Sequence, residues 1–377
     1  MNNGGFIRLI NKLAENHKKN LLMSELLSIS EFDETDLPEE YHFSHNIAVS
    51  LHDDLVALLK DKFIQKKLNF KIDFKDGDKR PKDNEEDIIQ WLSENGHKHI
   101  ADEIVSRNLI MALTSDICHF VYQSLHSAKH YKLSVAYSLL RKPFLENLLV
   151  IEQLLIDEKG FLTKFEGNPE NFDPGKIRDD EKKRLIEESI AKIKVVLLNA
   201  DIIFEVRFDK KSENGFYAMS NLATHLVTTR HPTFKTESLN LNFIFSGYED
   251  WETQLDHYYY FFSHILFYTT EVIDRYLFEK KMITKKSYKK RKFYRLISQV
   301  LFHEPFDEKS LKGNSTANKI SRNLKVKCKS CEKNNQLHKS DLYTLVKSKY
   351  LLCKYCLVDL YGENNSMDEI IDRIIDV

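Results

Sequence analysis

Four cysteines near the carboxyl terminus are the residues whose type and spacing most clearly predict chemistry. Cys328 and Cys331 form one Cys-x-x-Cys pair, and Cys353 and Cys356 form a second pair after 21 intervening residues. Two thiolates at the short spacing can bind one metal ion from a tight turn, and a second pair completes a tetrahedral site. Four thiolates leave no coordination position for water or substrate, so the sequence predicts structural Zn2+.

The spacing of these cysteines resembles the zinc-ribbon class, and the resemblance covers only residues 324–360. A unit this small cannot bury enough core to fold alone, so metal binding would supply its folding free energy. An iron–sulfur cluster or a redox-active dithiol pair would use the same four side chains and stays an alternative. No resemblance extends over the whole chain.

Charge is strongly segregated along the chain. Residues 280–360 contain 21 lysines and arginines against 6 acidic residues, a net charge of +15, and the rest of the chain carries −16. Such segregation predicts a C-terminal third that faces a polyanion. Attraction between two copies in a homodimer and a merely solvated basic surface are the alternatives. The candidate nucleic-acid-binding residues are Lys285, Lys286, Lys289, Lys290, Arg291, Lys292, Lys327, Lys329 and Lys354.

The composition predicts a mainly α fold. The chain has only 11 glycines and 7 prolines, far below the ~7% and ~5% of average usage, and these residues are the ones that interrupt helices. Long helical patterns cover about 102–126, 132–157 and 251–281.

Three short segments alternate apolar and polar residues and therefore predict strands, at 68–74, 202–208 and 239–245. These strands could pair into a small sheet on the helical body. The predicted organisation is an acidic helical domain over 1–300, a linker over 301–323, and a basic zinc-ribbon unit with a short C-terminal helix over 324–377.

Two polar groups in the helical body are candidates for catalysis. Arg141 and Glu146 lie in the apolar stretch LLRKPFLENLL, where charges are costly to bury unless they are paired. His225 and Arg230 lie in SNLATHLVTTRH. The histidine could act as a general acid or base near neutral pH, with Arg141 or Arg230 stabilising an anionic phosphate. A structural ion pair for Arg141 and a structural helix histidine are the competing interpretations.

The combination of a helical bundle with an arginine and a histidine resembles the HEPN-type ribonucleases of bacterial defence systems. That resemblance implies metal-independent RNA cleavage. The family's Arg-x(4–6)-His motif is not met, because Arg230 and His231 are adjacent and His225 precedes Arg230. The sequence also contains no P-loop, Rossmann glycine fingerprint, nucleophile elbow or His-Glu-x-x-His pattern, which disfavours the corresponding enzyme classes.

The sequence predicts a cytoplasmic protein without a membrane segment. Met1–Ile10 lacks an apolar signal-peptide core, and 258–273 is too short and polar to span a bilayer. Cys-x-x-Cys pairs in a reducing compartment usually bind metal. The leading functional prediction is nucleic-acid binding by the ribbon and the adjacent basic helix, with the helical body serving dimerisation or partner recruitment. A metal-independent ribonuclease and a protein–protein adaptor are the alternatives.

Overall fold

Helices dominate the computed structural model, as the composition predicts. It describes residues 27–30, 33–72, 88–168, 170, 172–195, 197–212, 215–229, 235–244, 246–304, 315–362 and 366–375. The helices of these residues are α1 Glu39–Lys60, α2 Lys62–Leu68, α3 Ile88–Glu94, α4 Lys98–Lys129, α5 Leu133–Arg141, α6 Leu148–Glu166, α7 Asp179–Ile193, α8 Ala200–Phe208, α9 Phe216–Thr224, α10 Tyr248–Glu279, α11 Lys285–His303, α12 Thr316–Asn323, α13 Lys339–Ser348 and α14 Asp368–Ile374. A π-helical segment, Lys142–Asn147, joins α5 to α6, and a short 3-10 helix covers Pro174–Lys176.

The body is built around two helices of 32 residues each, α4 and α10. At 1.5 Å per residue each extends about 48 Å, long enough to run the length of a domain. Helix α1 packs against both of them, and α6 packs against both as well. The buried face of α10 is mostly aromatic and includes Tyr258, Tyr259 and Phe262. His45 of α1 lies against this face, where its Nδ1 is 2.9 Å from the Tyr259 hydroxyl oxygen.

A buried ion pair joins α8 to α6 inside the body. Arg207 donates to the two carboxylate oxygens of Glu152 at 2.5 and 3.0 Å, and the Tyr268 hydroxyl donates to the same carboxylate at 2.5 Å. Arg207 also donates from Nε to the Phe144 carbonyl at 2.8 Å, within the π-helical segment. The arginine and the glutamate are completely buried. Each neutralises the charge of the other, whose burial without a partner would be strongly destabilising.

The strands predicted on the helical body are wrong. Residues 202–208 belong to α8, which begins where the Asn199 side chain accepts hydrogen bonds from the N–H groups of Asp201 and Ile202. Residues 239–244 form turns, and Leu239 and Phe243 have φ of 63° and 60°, which a strand does not allow. Residue 245 lies outside the described residues.

The strand predicted at 68–74 is also wrong over the residues that the structure describes. Leu68 ends α2, and 69–72 are irregular, while 73–74 lie outside the described residues. Among the described residues the sheet has two antiparallel strands, β1 Lys325–Lys327 and β2 Asn334–Gln336, in the cysteine-containing unit. Alternation over so few residues does not distinguish a strand from a helix or a turn, and at 239–244 the apolar residues do not form a buried face, because Leu239 is fully exposed and Ile244 is 58% exposed.

The cysteine-containing unit packs directly on the helical body, and its buried residues belong to the same hydrophobic core. The Tyr294 hydroxyl of α11 donates to the Val346 carbonyl of α13 at 2.8 Å. The centroids of the Phe43 ring of α1 and the Tyr343 ring of α13 lie 5.2 Å apart. Helix α12 occupies the later part of the predicted 301–323 linker, and 305–314 lie outside the described residues. The boundary between the two units stays a prediction.

Replacing Arg207 with methionine should strongly destabilise the body. The substitution leaves the Glu152 carboxylate buried without its cation, which typically costs about 3–5 kcal/mol of unfolding free energy. Urea unfolding would measure the loss. The control is Arg184→Met, which breaks an exposed pair with Glu181 and Glu188 and should cost less than about 1 kcal/mol. Equal losses in the two variants would contradict a stabilising role for the buried pair.

Candidate metal centre and basic surfaces

The two Cys-x-x-Cys pairs lie on knuckles that share one backbone geometry. In each knuckle the carbonyl of the first cysteine, Cys328 or Cys353, accepts from the N–H four residues later, at 2.8 and 2.9 Å. The N–H of that cysteine donates to the carbonyl five residues later, at 3.0 and 2.8 Å. The fourth residue after it, Glu332 or Leu357, has φ of 59°. The sequence therefore builds the same tight turn twice.

The four sulfur atoms converge on one point. The Sγ atoms of Cys328 and Cys356 are 3.7 Å apart, as are those of Cys331 and Cys353, and all four lie within 4.8 Å of one another. A tetrahedral ion with metal–sulfur bonds of about 2.3 Å requires sulfurs about 3.8 Å apart. The four predicted ligands are thus brought together with the spacing that a tetrahedral metal ion needs, and the cluster fits a small zinc ribbon.

The electrostatics of the cluster favour a bound cation. Burial raises the pKa of the Cys353 thiol, but the N–H groups of Tyr355 and Cys356 outweigh this and lower it to about 6. For Cys356, the Val358 N–H lowers the pKa, whereas burial and the three neighbouring thiols raise it to about 12. Four thiolates at this separation repel one another, and a bound divalent cation offsets that repulsion.

Asn335 of β2 connects the two knuckles and was missed at the sequence level. Its buried side chain accepts the Lys354 N–H at 2.9 Å, and its Nδ2 lies 3.5 Å from the Cys353 sulfur. A residue that orients a metal-binding thiolate in this way supports the ligand geometry. In the sequence it is one of several polar residues between the two cysteine pairs, and nothing in the spacing distinguishes it.

Exposed lysines occur along the segment that carries the two knuckles. They are Lys325, Lys327, Lys329, Lys333, Lys347, Lys349 and Lys354. Tyr350 and Tyr355 are 59% and 56% exposed, which leaves their rings accessible. The Lys333 ammonium lies 4.7 Å from the centre of the Tyr355 ring, a cation–π contact. We call Lys327, Lys329, Lys333, Lys354 and Tyr355 the knuckle surface.

Several cations of the basic helix α11 are directed into the protein. Lys289 donates to an Asp372 carboxylate oxygen at 2.8 Å, and Lys292 donates to the Ile193 carbonyl at 2.6 Å. Each lysine is less than one-tenth exposed. The sequence does not reveal that these two lysines are directed inward, because the accepting groups lie 83 positions after Lys289 and 99 positions before Lys292.

Two arginines of α11 form a buried cluster with acidic residues of α10. Arg291 donates to the two carboxylate oxygens of Asp274 at 2.8 and 2.9 Å. Arg295 donates to Asp274 at 2.5 Å and to Glu271 at 2.7 Å. Burial raises the pKa of Asp274, but the two guanidinium groups outweigh it and hold the pKa below its usual value. The cluster has two cations and two anions, so its charges cancel.

The remaining basic candidates of α11 lie nearer to solvent. Lys285 and Lys286 are exposed, and the Lys286 ammonium is 2.8 Å from an Asp368 carboxylate oxygen. Lys290 is half-buried and donates to the Tyr361 carbonyl at 2.8 Å. The structure thus divides the predicted basic segment into an inward-facing part and an outward-facing part.

The catalytic candidates of the helical body are only partly brought together. Arg141 of α5 donates to the Asn221 side-chain oxygen of α9 at 3.0 Å, so its partner is an amide rather than a carboxylate. His225, one turn further along the chain, follows the last residue of α9 and is exposed. Glu146 is exposed on the π-helical segment. Arg230 lies outside the described residues.

Comparison of the chain with models of known protein families, with curated proteins and with solved structures finds no match. Across the part of the chain that the structure describes, the search for membrane-spanning helices finds none of sufficient length and apolarity. Functional inference therefore rests on the chemistry of the sites themselves.

We expect about one metal ion per purified chain, because the four sulfurs form a single site. Cys353→Ser should lose the ion, since one thiolate of the closed set is removed. Cys118→Ser is the matched control, because this buried cysteine of α4 lies outside the cluster. Elemental analysis after dialysis against metal-free buffer measures the content. Retention of the ion by Cys353→Ser would refute the four-thiolate site.

Proposed function

We propose that the protein binds nucleic acid through the knuckle surface, with the four cysteines holding structural Zn2+. The observation that supports this most strongly is the exposed group of lysines and tyrosine around a closed four-sulfur cluster. Lysines neutralise phosphates without a required order, and an exposed aromatic ring can stack on an unpaired base. We further propose that the protein acts in the reducing cytoplasm, where thiolates remain available to zinc.

In this proposal the metal has a scaffolding role. Four thiolates fill a tetrahedral coordination shell, so the ion has no position for a reacting group. The ion instead fixes two turns whose lysines would otherwise be carried on short, flexible segments. Zn2+ suits such a site better than an ion that prefers oxygen ligands, because thiolate is a soft ligand.

The phosphate contacts extend from the knuckle surface to the outward-facing lysines of α11. Lys285 and Lys286 are exposed and could contact a backbone that continues past the ribbon. We do not assign phosphates to Lys289, Arg291 or Lys292, because acceptors within the protein hold these groups and their side chains are almost inaccessible to solvent. A smaller set of phosphate contacts than the sequence suggested makes binding less steeply dependent on salt.

We assign dimerisation or partner recruitment to the helical body. Large apolar side chains are exposed after α9, including Leu226 at 60%, Val227 at 50% and Ile244 at 58%. The backbone N–H of Asn242 donates to the Leu226 carbonyl at 2.9 Å, which holds the two segments that carry these side chains together. Clustered exposed apolar groups commonly mark protein contacts.

The double variant Lys327→Glu/Lys329→Glu should weaken nucleic-acid binding by at least about tenfold at moderate salt. It should also flatten the salt dependence, because each lost phosphate contact removes about 0.7–0.9 from the logarithmic slope. Filter binding of labelled RNA and DNA over a salt series measures the affinity and the slope. The control variant Lys62→Glu/Lys66→Glu changes the net charge by the same amount at exposed residues of α2, and it should have little effect on nucleic-acid affinity.

Equal weakening in both double variants would contradict a specific role for the knuckle surface. Wild-type protein that fails to bind either nucleic acid at moderate salt would overturn the proposal. The basic third would then face a protein partner, as in the adaptor alternative.

A metal-independent ribonuclease is the second candidate, and one observation favours it. The hydrogen bond between Arg141 and Asn221 positions a guanidinium group beside the helix that leads to His225. An exposed histidine can transfer a proton while a nearby guanidinium group stabilises a phosphate. Both side chains are exposed at the surface, so an RNA strand can approach them.

Under the ribonuclease hypothesis, purified protein should cleave RNA in the presence of EDTA, and His225→Ala should abolish cleavage. Denaturing gels of end-labelled RNA would show the products. His99→Ala, at an exposed histidine of α4, is the matched control and should retain full activity. Equal cleavage by His225→Ala and wild type would exclude His225 as the acid–base group.

A further inference from the structure

The second cysteine knuckle carries large apolar residues that are open to solvent. Tyr350, Leu352, Tyr355 and Leu357 are 59%, 51%, 56% and 72% exposed. Single exposed apolar residues are common on protein surfaces, whereas a cluster of them marks a contact site. These four occur within eight consecutive positions around Cys353. We call them the apolar patch.

The backbone of the second knuckle directs the first half of the patch outward. Leu351 is only 2% exposed, so Tyr350 and Leu352 on either side of it lie on the outward face of the chain. Leu352 forms an antiparallel bridge with Asp359, and the Leu360 N–H donates to the Leu351 carbonyl at 2.6 Å. These contacts close the knuckle at its base and hold the two side chains in place.

Leu357 occupies a position that would suit glycine better. Its φ of 59° lies in the left-handed region, which is unfavourable for a bulky side chain. The Leu357 N–H donates to the Cys353 carbonyl at 2.9 Å, which holds this conformation. Since the leucine is 72% exposed, packing inside the protein does not offset the strain. The matching position of the first knuckle holds the polar residue Glu332. An outward leucine here therefore indicates a contact with another molecule.

Lysines of the first knuckle lie beside the patch. The Lys333 ammonium is 4.7 Å from the centre of the Tyr355 ring, so a cation and an aromatic ring of the two knuckles touch. Lys325 and Lys327 are the exposed residues of β1, and Lys329 is exposed as well. A ligand that covers both the patch and these lysines must combine negative charge with apolar surface.

The carboxylates near the patch leave these lysines available. Asp359 accepts the N–H groups of Leu351 and Tyr361, each at 3.0 Å, and that of Gly362 at 2.9 Å. Asp341 is paired with Lys354 at 3.2 Å. Among the residues that the structure describes, no carboxylate forms an ion pair with any of the four lysines at positions 325, 327, 329 and 333. Their positive charge therefore favours an anionic ligand.

We propose that the apolar patch binds the unpaired bases of a single-stranded nucleic acid, while the neighbouring lysines contact its phosphates. The proposal rests on the nucleic-acid function proposed above and names the form of nucleic acid that is preferred. In a duplex the bases are stacked inside, so the patch would face charged phosphates. In a single strand the bases can turn outward and stack on aromatic rings.

The two leucines suit this ligand as well as the two tyrosines do. Every base has an apolar face, so stacking and packing tolerate different base sequences. The patch has no buried polar side chain that would select one base by hydrogen bonding, because its four members are exposed and carry at most a phenol hydroxyl group. We therefore expect a preference for single strands with little preference for sequence.

Fluorescence anisotropy at one salt concentration would compare three labelled probes. They are a single strand, the same strand in a duplex, and an abasic strand of equal length, which keeps the phosphates but lacks the bases. Wild-type protein should bind the single strand at least about tenfold more tightly than either of the others, because only that probe offers unpaired bases.

Tyr355→Ala should weaken single-strand binding by about fivefold or more and leave duplex and abasic binding unchanged. Tyr355→Phe keeps the ring and should retain the wild-type affinity. Leu357→Gly should also weaken single-strand binding, and it should fold well because glycine adopts this φ without strain. The matched control is Tyr248→Ala, at a tyrosine of α10 that is 61% exposed, and it should bind as wild type does.

The outcomes separate this inference from the function on which it rests. Equal affinity of wild-type protein for all three probes would overturn the single-strand preference and leave nucleic-acid binding by the lysines intact. Unchanged single-strand affinity in both Tyr355→Ala and Leu357→Gly would overturn the role of the patch. Failure of folded, metal-loaded protein to bind any of the probes would overturn the proposed function, and the inference with it.

Discussion

The pairing of buried charge on α11 is the constraint on which the rest of the architecture depends. A guanidinium group in a protein interior is tolerated only with a carboxylate beside it, so Arg291 and Arg295 require Asp274 and Glu271. That requirement fixes α11 against α10. Because α11 also contacts α13 and α14, the same helix determines where the cysteine-containing unit lies.

In this position the cations of α11 have two kinds of surroundings, which its composition does not separate. Its inward-facing cations are held by α10, by the Ile193 carbonyl and by Asp372 of α14, whereas its first turn lies in a more open cleft beside Asp54. The knuckle surface lies on separate elements, around β1 and the two cysteine turns. Structural pairing and the proposed nucleic-acid surface are therefore distributed over different side chains, although all belong to one basic third of the chain.

Local patterns were predicted well from the sequence, and long-range partners were not. Two Cys-x-x-Cys pairs define their own chemistry, because two ligands three residues apart already favour a shared ion, and the structure brings all four sulfurs together. The mainly α fold followed from composition. The strand predicted at 202–208 failed because alternation over seven residues also fits a helix that is buried on several sides. The interior role of Lys292 depends on a carbonyl 99 positions away, which no local pattern reveals.

The opposite net charges of the two parts of the chain have a further consequence once their contacts are known. If the charges of the acidic body and of the basic third stayed apart, the molecule would have a large electric dipole moment. Ion pairs such as Lys349 with Asp54 and Arg291 with Asp274 join the two where they touch, so part of that separation is cancelled internally. The field that reaches solvent is consequently weaker and more localised than the sequence charges imply, and it attracts anions over a short range around the exposed lysines.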